Sequence, residues 1–223
     1  MKITVIDRLV YGIMHIPVKK LFHKKLSGRL PEGTVSKLPG EIWNEYKNRL
    51  PGLKKKETAG ATLVIRLSLL TLILYEKLIA ENIQKQEAIR LTSEITWAVY
   101  DKLTGIFWFF TRFFSGKPIV RLRKAMNFAV KYFPYNSPGY EMEFLKADDS
   151  EFFFNVHKCP SAEFFKEHRL SKLCTETWCN LDYSLAEKWN VGLEREKTIA
   201  KGDGICTFRF KAKNVANLHN TFN

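Results

Sequence analysis

The sequence predicts an α+β fold: an N-terminal helical layer, then an antiparallel sheet of about four strands interrupted by a helical pair. Three observations carry this reading. Apolar residues recur at helical spacing up to about residue 135, the period falls to two from Tyr140 onward, and two polar turns divide the second half into hairpins. The 223 residues are 45% hydrophobic and 13% aromatic, enough for a sizeable core, so disorder is excluded as the default.

The first element is basic. Residues 1–60 hold 13 Lys and Arg against 5 Asp and Glu, a net +8, whereas residues 61–223 hold 23 against 18, a net +5. Lys19, Lys20, Lys24 and Lys25 alternate with Val18, Leu21, Phe22 and Leu26, which describes an amphipathic helix. Its plainest reading is a solvated face packed on the domain; the alternative is peripheral contact with an anionic membrane. No RNP-like, zinc-finger or helix-turn-helix signature accompanies the charge, so nucleic acid is not an expected partner.

A connection punctuated by Pro31, Gly33, Pro39, Gly40, Pro51 and Gly52 leads to Ala61–Tyr75, apolar nearly all round. This stretch contains Arg66 and falls short of the roughly 20 residues a bilayer requires, so it reads as a buried central helix. The next helix aligns Ala88, Leu91, Ile95, Val99 and Leu103 and is expected to stop at Gly105. An aromatic helix follows, interrupted by Arg112 and too short to span a membrane. After Gly116 and Pro118, residues Ile119, Leu122, Met126, Val130 and Phe133 repeat at helical spacing, and Pro134 to Gly139 closes the helical half.

Tyr140–Lys146 and Glu151–His157 flank the polar loop Ala147–Ser150 as one hairpin. Leu193–Ala200 and Ile205–Lys213 flank Gly202-Asp203-Gly204 as a second. Between them lie short helices over about Pro160–His168 and Thr177–Trp189. The organisation is a basic helical segment over residues 1–57, one α+β domain over 58–213, and a tail over 214–223. Four cysteines, with no charged-then-apolar leader, fit free thiols in a reducing cytoplasm.

The chemistry-bearing residues lie in the last third. Cys159 ends a strand before Pro160 and is a candidate helix N-cap, where the helix dipole favours a thiolate. His157 shares its strand face by alternation and is a candidate base or substrate contact. Asp182 lies in the stripe Trp178, Leu181, Leu185, Trp189, on the same side as Cys179; a carboxylate aimed at a core needs a donor, such as Arg195, or a task. Cys206 shares a strand face with Phe208 and Phe210. The bland alternatives are a buried thiol at Cys159, an ion pair at Asp182 and a small core residue at Cys206. Cys174 and Cys179, with distant Cys159 and Cys206, lack the paired knuckles of zinc sites, so no metal is expected. The absence of a glycine-rich phosphate loop, HExxH and Gly-x-Ser-x-Gly leaves no cofactor implied.

At these residues the chain resembles the L-2-amino-thiazoline-4-carboxylic acid hydrolase family, over roughly residues 60–211. The resemblance rests on Cys159 followed by Glu163-Phe164-Phe165, on Cys179-Asn180-Leu181-Asp182, on Leu193-x-Arg195-x-x-Thr198-Ile199, and on Gly202 with Cys206-x-Phe208-x-Phe210. It implies a hydrolase that opens a five-membered S,N-heterocycle at its amidine-like carbon, giving an N-carbamoyl-cysteine, in the class of hydrolases acting on non-peptide C–N bonds of small molecules. Cys159, Cys179, Asp182 and Cys206 are then the expected catalytic residues, with Cys159 as the leading nucleophile. His157 and Arg195 are the expected substrate contacts, Arg195 through a substrate carboxylate. The plan is also similar to ligand-binding domains of the 4-vinyl reductase type, which implies the alternative of a small-molecule sensor without catalysis.

Overall fold

The computed structural model of the protein describes residues 17–213, apart from the side chains of Leu103, Ile106 and Phe107. Helices come first: α1 (17–26), α2 (Glu32–Arg49), α3 (Ala59–Ala80), α4 (Lys85–Phe110) and α5 (Pro118–Lys131). The central one is α3, capped where Thr58 Oγ1 accepts from the Ala61 amide at 3.1 Å. Ile65, Leu69, Leu72, Ile73 and Leu78 are buried around it. A helix apolar on every side requires cover on every side, and α2, α4 and the later α6 (Pro160–Glu167) supply it. No helix among the described residues is long and apolar enough to cross a membrane.

The basic segment packs onto this layer. Phe22 and Leu26 of α1, with Leu38, Tyr46 and Leu50 farther on, are buried in the same core as α3 and α4. Lys25 Nζ lies 2.7 Å from Glu94 on α4. The apolar side of α1 is used inside the protein while Lys19 and Lys20 face water.

The expected stop at Gly105 does not occur, and α4 runs on to Phe110. An interior glycine costs a helix about 1 kcal/mol, too little to break one whose other faces are packed. A Cβ at Gly105 would lie 3.3 Å from Lys188 Nζ. That lysine is bonded to the Asp101 carboxylate, so the missing side chain gives it room.

The sheet is antiparallel in the order β1-β2-β4-β3, from β1 (Glu141–Ala147), β2 (Glu151–Lys158), β3 (Val191–Glu194) and β4 (Cys206–Ala212). Asp148 Oδ1 closes the first hairpin by accepting from the Ser150 and Glu151 amides, both at 2.8 Å. Along β2 the residues Phe152, Phe154 and Val156 are buried and His157 is exposed. Phe154 opposes Phe208 on β4, and Val156 opposes Cys206.

The second hairpin is wider than its sequence pattern suggests. Leu193 and Glu194 pair with Phe210 and Arg209, but residues 195–205 leave the sheet. Side chains take the backbone bonds that a ladder would otherwise use. Thr207 Oγ1 accepts from the Glu196 and Lys197 amides, and Asp203 Oδ2 accepts from the Thr198 amide at 2.7 Å. A 3-10 turn, Ile199–Lys201, ends at Gly202, whose φ of +105° suits only glycine.

The helical pair also differs from expectation. Its second member starts at Ser171 and runs unbroken through α7 (Ser171–Cys174), a π turn (Thr175–Cys179) and α8 (Asn180–Lys188). Two apolar clusters result, one among the helices and one beneath the sheet, and Cys159, Trp178 and Ile199 pack against both. The loop 132–140 closes this seam. It lies directly on the start of α3, where a Cβ at Gly60 would sit 1.9 Å from the Pro134 carbonyl oxygen.

Candidate active site

Cys159 lies between the end of β2 and Pro160 at the first turn of α6, in the N-cap position the sequence implies. Its Sγ is 3.3 Å from Ser161 Oγ, and the amides of Ser161 and Ala162 favour its thiolate. Burial outweighs these donors and pushes the thiol up. The helix terminus therefore does not produce the activated thiol expected from the sequence. Desolvation of a charged sulfur is the larger effect.

The π turn treats its cysteines differently. Bonds that close over five residues shift the register of this stretch, and Cys174 and Cys179, five residues apart, come near enough for each thiol to displace the other's titration. Cys174 is almost fully buried, and its own pKa rises strongly, through the neighbouring Cys179 first and burial second. Cys179 moves the other way: its thiol is lowered by the neighbouring Cys174 first, with Arg195 and Lys201 adding to the effect against burial and the Asp182 charge. Of the two, Cys179 is the thiol displaced downward.

One turn farther on, Asp182 Oδ2 accepts from Arg195 Nη1 at 2.7 Å, while Arg195 Nη2 donates to the Cys179 carbonyl at 2.7 Å. The Arg195 side chain is only 3% exposed and lies between the rings of Tyr183 and Phe208, 4.9 and 5.1 Å from their centroids. A single guanidinium thus ties the end of the π turn to the carboxylate of α8. Burial still pushes the Asp182 carboxyl up, with Arg195 opposing. Asp182 nevertheless keeps 36% of its side-chain surface.

Cys206 opens β4, and its Sγ accepts from the Ile199 amide at 3.2 Å. Burial raises this thiol to about 12, so at neutral pH it is an uncharged wall. Cys159 feels the charge of Cys179, Cys206 feels both Cys159 and Cys179, and Cys179 feels Asp182. His157 is not brought to this group. It projects from the other face of β2, and its Nε2 lies 3.2 Å from Glu143 Oε2. Strand alternation ends at Lys158, so Cys159 turns inward while His157 stays outside.

Three tyrosines border the same region, and sequence reasoning missed them. The Tyr100 and Tyr135 hydroxyls lie near enough to affect each other's titration; Tyr135 and Tyr140 feel Cys159, and all three feel Asp182. Burial raises each phenol, so all remain protonated donors near neutral pH. The available signal was weak: Tyr100 neighbours the apolar stripe of α4, and Tyr135 and Tyr140 bracket the Pro/Gly turn. Trp178 Nε1, Trp189 Nε1 and Arg195 Nε are buried N–H donors without a partner. No group of three His, Cys, Asp or Glu among the described residues could hold a metal ion.

The comparisons with known proteins bear on this region directly. A family model described as L-2-amino-thiazoline-4-carboxylic acid hydrolase matches residues 71–210, a span that includes every thiol and carboxylate above. No curated protein matches the chain. Among solved structures, an H-NOX protein from S. oneidensis in the Fe(II)NO ligation state is 11% identical with a TM-score of 0.40, covering 87% of this chain and 98% of that one. An Fe(II) unliganded H-NOX protein from K. algicida is 11% identical with a TM-score of 0.37, covering 89% of this chain and 96% of that one. Likeness at this level carries no argument about this chain. By the family match, the chain belongs to the L-2-amino-thiazoline-4-carboxylic acid hydrolase family.

Proposed function

We propose, from membership of that family and the geometry of the seam, that this chain is a hydrolase opening a small S,N-heterocycle at its amidine-like carbon. The observation that carries the proposal is the succession of Cys179, lowered by its neighbours, and Asp182, raised by burial, one turn apart on one helix. A nucleophile and a proton carrier with opposite displacements are what an acid–base-assisted covalent reaction uses. The nucleophile in this proposal is Cys179 rather than Cys159, whose thiol is raised.

For a 2-amino-thiazoline-4-carboxylate the bonds balance as follows. The Cys179 thiolate adds to the carbon that carries the ring sulfur, the ring nitrogen and the amino group. The ring C–S bond breaks, and the departing sulfur takes up the proton that the substrate's amidinium group brings. Water then adds to the enzyme-bound carbon with its proton passing to Asp182, and the Cys179 thiolate leaves. The product keeps both nitrogens on the carbonyl carbon, as N-carbamoyl-cysteine with a free thiol. Cleavage of the ring C–N bond, the bond class that the sequence reading named beside an N-carbamoyl-cysteine product, yields the S-carbamoyl isomer with a free amine instead. Titration of product thiol separates the two. The protonated Tyr100, Tyr135 and Tyr140 and the unpartnered N–H groups of Trp178 and Arg195 are the donors proposed to orient an anionic substrate. Cys159 and Cys206 form the walls, in a compartment that keeps thiols reduced, such as the cytoplasm.

The test is turnover of 2-amino-thiazoline-4-carboxylate and related cyclic amidines by the full chain. Removing the nucleophile in Cys179→Ala is expected to reduce kcat/KM by at least about 10³-fold, and Asp182→Asn by about 10²-fold. Full turnover in Cys179→Ala with loss in Asp182→Asn would assign the attack to water activated by Asp182. Thermal stabilisation by these compounds with no product would make the chain a small-molecule sensor.

A further inference from the structure

Residues 102–140 contain seven Lys and Arg and no Asp or Glu. They also carry the largest exposed aromatic cluster of the described chain: Phe109, Phe110, Phe113 and Phe114 are 55, 58, 82 and 45% exposed. Their outward aim is fixed from beneath. Trp108 and Thr111 point inward, where Arg121 Nη2 donates to the Trp108 carbonyl at 2.7 Å and to Thr111 Oγ1 at 3.2 Å, its guanidinium 3.8 Å over the Trp108 ring. The intervening phenylalanines are thereby turned to water. Lys124 Nζ donates to the Phe114 carbonyl at 3.0 Å and joins this end of α4 to α5. From there the exposed side of α5 alternates base and ring through Lys124, Phe128, Lys131 and Tyr132 at helical spacing.

We propose that this face, made by the end of α4, the turn Thr111–Phe114 and the outer side of α5, docks on an anionic lipid bilayer. The rings enter the headgroup boundary, and Arg112, Lys124 and Lys131 lie against the acidic headgroups. Charge selects this occupant. None of those three cations pairs with a carboxylate among the described residues, and Arg112 and Lys131 rest only on the rings of Phe109 and Tyr132. A second copy of the chain would oppose this face with the same positive charge. Residues 1–16 carry Lys2 and Arg8 against Asp7 and also bring a net positive charge. The docked surface borders the candidate site, because Trp108 stacks on Trp189, just beyond α8, at 4.5 Å.

Co-sedimentation of the full chain with phosphatidylserine–phosphatidylcholine vesicles, and with pure phosphatidylcholine vesicles, tests the proposal. Binding is expected on the anionic vesicles, at least about tenfold weaker on the neutral ones, and reduced by high salt. Phe113→Ser alone, the combination of Phe110→Ser and Phe113→Ser, and the combination of Arg112→Glu and Lys124→Glu should each weaken it by about tenfold or more, with unchanged far-ultraviolet circular dichroism. Lys19→Glu with Lys20→Glu on α1 should leave it within about twofold. Absence of binding to anionic vesicles overturns the proposal. So does binding that survives the Phe and Arg/Lys changes but is lost on altering α1. A concentration-dependent dimer in sedimentation velocity that Phe113→Ser abolishes would give the face to a second copy instead, and binding only after removal of residues 1–16 would give it to that segment.

Discussion

The end of the sheet and the π turn both present cysteines to the same seam, yet they move those thiols in opposite directions. At the sheet end Cys159 and Cys206 accept from backbone amides and a hydroxyl, and burial still raises both. In the π turn Cys179 is also enclosed but has the Cys174 thiol beside it and feels the positive charge of Arg195, and its thiol falls. Neutral donors alone do not offset the loss of water around a thiolate at the sheet end, whereas a neighbouring thiol together with a guanidinium does in the π turn. An irregularity in a helix accomplishes here what a regular helix terminus does not.

The largest break in this contrast comes from Arg195→Met. The substitution leaves the Asp182 carboxylate and the Cys179 carbonyl without their shared donor in a buried setting. Unfolding by urea should show a loss of about 3 kcal/mol, below the upper range for broken buried pairs because Asp182 keeps 36% of its surface. Arg195→Lys should recover only part, since one ammonium cannot reach both acceptors as a guanidinium fork does. A loss below about 0.5 kcal/mol would mean that Arg195 does not hold the π turn against α8.

The sheet end is expected to respond to alkali. Cys206 has its folded pKa raised to about 12 from an ordinary 9, so the folded state keeps a proton that the unfolded chain releases. Its contribution is fully present below pH 9 and is lost as pH rises toward 12. Relative to Cys206→Ala, the native chain should lose stability more steeply in that window, by up to about 1.4 kcal/mol per pH unit. Cys179 has the opposite sign: its lowered pKa adds stability above the unfolded value, which fades as pH falls through the folded one. Parallel stability curves for the native chain and Cys206→Ala would show that Cys206 is not desolvated.

Much of this architecture was legible because period and punctuation are local properties. The buried helix around Ala61–Tyr75, the change of period at Tyr140, the Asp148 turn and the inward face of Cys206, Phe208 and Phe210 all follow from spacing. The helix end at Gly105 did not, because a glycine is tolerated when a distant side chain, that of Lys188, occupies the space. The π turn could not be read either. It inserts one residue into the helical repeat, and that shift, set by tertiary packing, brings Cys174 near Cys179. The proximity of Asp182 and Arg195 was foreseeable as a carboxylate seeking a donor; the role of Tyr100 was not, since its partner lies in a loop 35 residues away.

Cys174→Ala sharpens the contrast within the π turn itself. The variant removes the neighbouring thiol while Arg195 remains, so the Cys179 pKa should rise and its alkylation by iodoacetamide at neutral pH should slow by about tenfold. Cys174→Ser supplies a hydroxyl donor at the same place and should restore the native rate. In the native chain the pH profile of labelling should reach half-maximum below 9 for Cys179 and above 9 for Cys159. Faster labelling of Cys159 than of Cys179 would reverse the contrast and return the nucleophile to the N-cap of α6.

The smallest effect is expected at His157, and it marks where the site ends. Its side chain is 42% exposed and meets only Glu143, itself 55% exposed, on the face of β2 turned away from the cysteines. Exposed ion pairs of this kind contribute between about 0 and 1 kcal/mol, and solvent screening keeps this one near the lower end. His157→Ala should therefore change stability by less than about 0.5 kcal/mol. It should leave turnover and the pH profile of Cys179 labelling as they are, because no proton path crosses the sheet from this ring to the seam. A fall in kcat/KM of tenfold or more, on the order of 1.4 kcal/mol in the transition state, would require the substrate to reach around the end of β2 to the outer face. The boundary of the site would then lie beyond Lys158, and the division between an inert sheet face and a reactive seam would have to be redrawn.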